Sequence, residues 1–399
     1  MINNVLDTIN LSQLGQRLQM FRKKQGLTQA DAASVIGVAR TTITAIEKGE
    51  RRVKASELIK LAEAYGRQIS DFVQNKPQIE LTQVQFRSQS SINQADEVII
   101  NKAIDELLEL CTNYFDIERA INRPLAKLYP PVYRAEGLPT EKAAEGLAIS
   151  ERNRLGLGES PIYLLRDTLE RLVGLRIFYL PLKPSSKISE VYFYETNLGG
   201  CIGINILQSS SKGRCRWSLA HAYAHFLAHR TKTTVSLLEQ RKPESEYFAD
   251  YFANYFLMPT NSLMQRFNEL YQSQGKITPS DLLFLANYYG VSFQAIVLRL
   301  ENLELIPSGI LEKLYERGFK VNEAEDELGI NPIPENTEKF PERYKELALQ
   351  AYNLGEISEG ELAIYLQTDI LEARTFIADH EWQLNVYQLN QDLRELVTK

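Results

Sequence analysis

Nowhere in its 399 residues does this chain hold an apolar run of the ~18 residues that a membrane span needs. Its opening stretch, MINNVLDTINLSQLGQRLQM, lacks the basic start and apolar core of a secretory signal. Cysteine is scarce: Cys111, Cys201 and Cys215 make neither a CxxC pair nor a disulfide framework. There is no low-complexity tract, no repeat of fixed period and no bias toward Pro or Gly. These absences exclude the membrane, fibrous and disulfide-rich secreted classes and lead us to expect a cytoplasmic globular protein. At this length two or three domains are expected.

Charge is present but unevenly spread. The net charge of −6 argues against nucleic acid, yet residues 1–76 hold 12 Lys and Arg against 7 Asp and Glu, and the remainder 33 against 44. A basic head on an acidic body suggests one region facing an anionic polymer and another facing something else.

Hydrophobic spacing makes the chain mainly α with a small β-sheet. Residues 11–74 read as five short helices. Leu14, Leu18 and Phe21 fall at helical spacing before a break at Gly26, and Thr28 with Asp31 supplies a capping box for a helix ending near Gly37. A third helix runs from about Arg40 to Glu47 and a fourth from Ala55 to Tyr65. Asn75 to Gln78 is the expected linker, residues 79–87 a strand, and Asn93 to Leu128 a long helical region. Residues 175–182, 189–195 and 200–206 look like short strands. Residues 217–230, 243–257, 279–287 and 292–303 are expected to be helical, with a further helical pair after Pro341.

A basic helical bundle with a tight Gly turn is one way into the DNA major groove, although spacing alone leaves a protein-interaction bundle open. The segment LTQADAASVIGVARTTITAIEKGERR resembles the Xre/Cro family of phage-type repressors through Leu27, Thr28, Gln29, Ala33, Gly37, Val38, Ile43, Glu47 and Gly49. The resemblance implies a helix-turn-helix DNA-binding domain over residues 1–76, acting as a homodimer on a palindromic operator in double-stranded DNA. It implies that Gln29 touches the phosphate backbone or a base edge, and that Arg40, Thr41, Thr42 and Thr44 are exposed on the recognition helix, where Arg can bond guanine and Thr can offer a methyl or hydroxyl. Lys23, Lys24, Lys48, Arg51 and Arg52 either neutralise phosphates or form a solvated face. Where the family often has Ser, this chain has Ala39, losing an N-cap worth about 1 kcal/mol.

Three of the four histidines lie together in SLAHAYAHFLAHR: His221, His225 and His229. Side chains four apart on a helix share a face at about 6 Å, so two imidazoles can reach one zinc ion. Spacing alone does not say which two bind and which packs. A third ligand from a following helix would come from ESEYFADYFANYFLMP, where Glu246 and Asp250 are also four apart. Ordinarily such carboxylates sit on a solvated face.

The histidine helix, then Glu246, Ala249, Asp250, Phe252 and Ala253, then Leu257, Met258 and Pro259, resemble the ImmA/IrrE family of zinc metallopeptidases. The likeness extends over about residues 79–305. It implies a zincin-like α+β domain over 77–305 with zinc as cofactor on His221, His225 and Glu246, and His229 and Asp250 standing behind the ligands. Residues 306–399 resemble the C-terminal helical segment of fused members and suit dimerisation or sensing. The departure is Ala222, where the family carries the glutamate that takes a proton from water and passes it to the leaving amine. Alanine can do neither, and it would stand there alike in a natural pseudo-enzyme and an engineered knock-out. Two functions follow as expectations. One is a regulator, most simply a repressor, whose metallopeptidase-like domain acts on a repressor-type polypeptide or on itself. The other is a non-catalytic, antitoxin-like sensor whose zinc pocket binds a ligand or partner protein.

Overall fold

The computed structural model describes residues 11–67, 69, 72, 94–134, 137–183, 187–207, 211–237, 243–331 and 335–380. The linker and strand expected at 75–87 lie outside the described residues. The chain divides into two units, residues 1–79 and 80–399.

In the first unit α1 (Leu11–Lys24), α2 (Gln29–Ile36), α3 (Arg40–Glu47) and α4 (Ala55–Ala64) account for four of the five expected helices. Most residues of the fifth lie outside the described ones, although Phe72 is fully buried in the same core as Leu18, Ile43, Ile46 and Leu61. Thr28 and Asp31 make the expected reciprocal capping box, and Gly37 ends α2 at φ 69, a conformation that costs glycine no Cβ clash. The α2–α3 turn can therefore be tight. A Cβ at Gly15 would lie 2.4 Å from the Ile46 carbonyl oxygen, so α1 and α3 touch backbone to backbone there. At Ala39 the first turn of α3 has no side-chain cap.

The second unit starts with α5 (Gln94–Ala120), which stops eight residues before the expected end at Leu128. Asn122 adopts φ 51, and Arg123 precedes Pro124, a position that disfavours helix. After α6 (Thr140–Arg154) and α7 (Leu165–Val173) comes a mixed sheet of β1 (Arg176–Leu180), β2 (Ile188–Glu195), β3 (Gly199–Asn205) and β4 (Thr234–Leu237), in the order β1-β3-β2-β4. The first three match the strands expected; β4 was not foreseen. β1 runs parallel to β3, and β2 is antiparallel to both β3 and β4.

Both faces of the sheet are covered, so β1 and β3 are buried along their whole length. A Cβ at Gly200 would strike Phe226 of α8 (Lys212–Ala228), and one at Gly203 would approach Leu107 of α5. The sheet is thus sandwiched between α5 and α8. Next come α9 (Glu244–Leu257), α10 (Thr260–Gln274), α11 (Pro279–Tyr289) and α12 (Phe293–Asn302). No single helix among the described residues is long and apolar enough to cross a membrane.

The remaining helices are α13 (Ile310–Glu316), α14 (Val321–Glu327), α15 (Glu342–Asn353), α16 (Glu359–Tyr365) and α17 (Ile370–Asp379). This segment is stitched into the sheet. The Glu335 carboxylate accepts from the Leu165 backbone at the start of α7 and pairs with buried Arg216 of α8. Tyr179 of β1 donates its backbone N–H to the Lys339 carbonyl. Tyr344 of α15 packs edge-on against Phe178 and Tyr114.

Candidate metal centre

Helix α8 begins where the Ser211 hydroxyl caps it, and from Ser218 to Leu227 every side chain is buried. Burial on all sides places its histidines in the interior, with His221 only 2% and His225 1% exposed. One helical turn apart, they bring their Nε2 atoms to 3.2 Å. From α9, Glu246 places Oε2 3.2 Å from His221 Nε2 and Oε1 3.2 Å from His225 Nε2. Among the described residues, these three side chains form the group that could hold a metal ion. Ligand atoms about 2.0–2.1 Å from a tetrahedral zinc lie roughly 3.3 Å from one another, so the spacing and the N,N,O donor set suit such an ion.

The other faces of this triangle are also polar. Behind His221, its Nδ1 lies 3.1 Å from Asp250 Oδ1. Behind His225, its Nδ1 lies 3.4 Å from His229 Nδ1. His229 is the C-cap of α8 rather than part of its helical face, because the helix ends two residues short of the expected 230. Sheet residues reach the centre as well: Ser236 of β4 donates to Glu246 Oε2 at 3.4 Å, and Glu190 of β2 brings Oε1 to 3.5 Å from His221 Nε2.

Burial alone would lower the proton affinity of His221, but Glu190, Asp250 and Glu246 together raise its pKa to about 10. Burial likewise pushes Glu246 upward, and hydrogen bonds from His221 and His225 outweigh it and hold the carboxyl well below the usual range. Three carboxylates, Glu190, Glu246 and Asp250, thus meet the two imidazoles. Ala222, next to His221, is fully buried and contributes no polar atom. Tyr223 is turned away, its hydroxyl donating to Glu151 at 2.6 Å. A cavity of about 550 Å³ opens beside His229, between Tyr133, Thr140 and Phe248.

In the head, Arg40, Thr41 and Lys48 are exposed, and Thr42 and Thr44 half-buried. Gln29 and Thr44 are brought together: the Thr44 hydroxyl donates to Gln29 Oε1 at 3.3 Å, while Gln29 Nε2 donates to Glu47 at 2.9 Å. Arg51 is bonded twice to Glu57, at 2.9 and 3.2 Å, so its guanidinium is tied back to α4.

Comparison with known families agrees with this division. Residues 18–72 match the helix-turn-helix family and residues 171–301 the family described as the IrrE N-terminal-like domain, a peptidase family. The chain joins a helix-turn-helix to an IrrE N-terminal-like domain. It accordingly pairs a DNA-binding unit with a protease-like domain. The matched IrrE N-terminal-like segment contains His221, His225 and Glu246 and the strands β1 to β4. Among curated proteins nothing matches. Two solved structures are similar. PlcR of Bacillus thuringiensis, solved in complex with the peptide PapR7 and DNA, is 12% identical at a TM-score of 0.17, over 97% of this chain and 100% of that one. ComR of Streptococcus suis is 11% identical at 0.16, over 95% and 96%. Scores this low establish neither a shared fold nor a shared ligand.

Two contributors, Glu190 and Ser236, escaped the sequence reading. A signal for Glu190 existed: in the strand ISEVYFYE it shares a face with Tyr192, whose ring packs toward Phe226 of α8. An acidic residue on the inward face of a buried strand is unusual enough to mark a site.

Proposed function

We propose that this chain is a transcriptional repressor that binds a palindromic operator as a homodimer and whose protease-like domain is a zinc centre. The observation that carries the zinc reading is the triangle of His221, His225 and Glu246: the two Nε2 atoms lie 3.2 Å apart, and each lies 3.2 Å from one oxygen of the Glu246 carboxylate. A zinc ion held there would supply a Lewis acid. His221 and His225 would hold it through Nε2, while Asp250 and His229 face the opposite ring nitrogens and fix the imidazole orientation. The polypeptide acted on is a partner repressor or the chain's own segment near residues 75–95. With alanine at 222, α8 offers no proton acceptor beside His221, and the contribution of a positioned base, typically about 10²–10⁴-fold, is missing. Control of DNA binding then runs through conformation rather than cleavage.

Metal content by mass spectrometry tests the centre. About one zinc per chain, lost in both His221→Ala and Glu246→Ala, is the expected result; a metal-free parent protein sinks the reading. Restoring the carboxylate with Ala222→Glu separates two uses of the centre. Zinc-dependent cleavage of a repressor-type polypeptide supports a peptidase that has lost its base. Absence of cleavage favours a sensor or antitoxin-like regulator, for which the cavity beside His229 offers room for a ligand.

A further inference from the structure

Glu190 is 3% exposed and sits on β2, opposite Ser236 of β4 in the sheet register. Most other buried carboxylates among the described residues face a guanidinium: Glu47 meets Arg22, Glu57 meets Arg51, Glu118 meets Arg176 and Arg343, Glu151 meets Arg154, and Glu335 meets Arg216, while Glu170 and Asp281 accept from the hydroxyls of Tyr114 and Thr278. Glu190 meets no guanidinium or ammonium group among the described residues. Its Oε1 lies beside the imidazole of His221, and its Oε2 is buried with no hydrogen-bond partner among the described residues. That imidazole is already shared, since Glu246 and Asp250 lie at 3.2 and 3.1 Å from its two nitrogens. A buried polar oxygen left without a partner is costly, which points to a donor or cation opposite Glu190.

We propose that Glu190 belongs to the metal centre, supplying from the sheet the outer carboxylate that position 222 does not supply from the helix. The inference rests on the reading of His221, His225 and Glu246 as ligands. Glu190 stands outside that triangle of mutually close atoms, beside one corner only. It therefore acts as an acceptor for the O–H or N–H of whatever enters the open side, and its charge offsets that of the cation. The two sheet residues paired across β2 and β4 divide the work: Ser236 donates to the ligand Glu246, and Glu190 faces the space beside His221.

Zinc affinity of the full chain, measured by competition with a chromophoric chelator, tests this directly. Outer carboxylates typically contribute about 10–100-fold to metal affinity, and Glu190→Gln, which keeps the shape and removes the charge, is expected to weaken zinc by that factor. Equal affinity in the parent and Glu190→Gln overturns the proposal. So does a loss as complete as that of Glu246→Gln, which would make Glu190 an inner ligand. Should glutamine disturb β2, as judged by circular dichroism without metal, Glu190→Ala gives the same test with the same expected loss. A parent protein that takes up no zinc sinks the metal-centre reading itself, whereas equal affinity in parent and variant sinks only the role of Glu190.

Discussion

The two units differ in how the buried carboxylates at their centres are met. In the head, Arg22 and Glu47 cancel one another at 2.6 Å, Gln19 and Gln29 complete the carboxylate, and Arg17 reaches the Phe72 carbonyl. Every buried charge there has an internal partner, so the network holds α1, α2 and α3 together and needs nothing from outside. In the body, three carboxylates crowd one imidazole in the buried stretch of α8. A satisfied network is scaffolding. An unsatisfied one, kept at the expense of stability, marks the place where a ligand completes the structure.

The largest way to break this contrast is to unbalance the head. Removing one partner of a buried pair strands the other, which typically costs about 3–5 kcal/mol. Glu47→Ala should therefore unfold the head at markedly lower denaturant concentration, seen by circular dichroism of the full chain. A change under about 1 kcal/mol, the scale of an exposed pair, would show the network to be dispensable.

pH sharpens the same contrast. Burial would raise Glu47, but bonds from Arg22, Gln29 and Gln19 hold it below the usual carboxylate range. Its stabilisation is present at neutral pH and lost as pH falls below the ordinary carboxylate range. Glu170 of α7 is the reverse. Burial drives it up to about 7 against the hydrogen bond from Tyr114. A carboxyl raised on folding stabilises fully below its unfolded value near 4.5 and loses that contribution as pH rises toward 7, by at most roughly 1.4 kcal/mol per pH unit. Glu170→Gln should flatten the body's stability between pH 4.5 and 7, as followed by thermal unfolding with a chelator present; an unchanged slope would remove Glu170 as its source.

The smallest effect is local. Ala39 leaves the first turn of α3 without a side-chain acceptor. Ala39→Ser should stabilise the head by about 1 kcal/mol, and a serine that leaves the melting temperature unchanged would mean the exposed backbone N–H groups are satisfied by water.

How legible all this was in the sequence depends on distance along the chain. Leu14, Leu18 and the Thr28–Asp31 box lie within a few residues of their partners, so the helices of the head could be read directly. His221 and His225 announced themselves because a helix turns a four-residue spacing into a shared face. Glu246 came from its place in a motif. Glu190 and Ser236 did not, because only the folding of β2 and β4 against α8 brings residues 190, 221 and 236 together. Helix α6 was missed for another reason: Gly146 sits at its middle, and glycine weakens the helical signal. The overrun of α5 past Ala120 came from following apolar spacing through Asn122 and Pro124, where the backbone turns away.

The stitching of residues 335–344 into the sheet sets an order of events during synthesis. The head draws its deepest contacts from residues 14–72, so it can fold while most of the chain is still unmade. The body cannot close so early: Arg216 waits for Glu335, and the Tyr179 N–H for the carbonyl of Lys339. At about 5–20 residues per second, more than 250 further residues separate the two, an interval of at least ten seconds or so. A ribosome stalled within that interval would display a finished DNA reader tethered to an unfinished body.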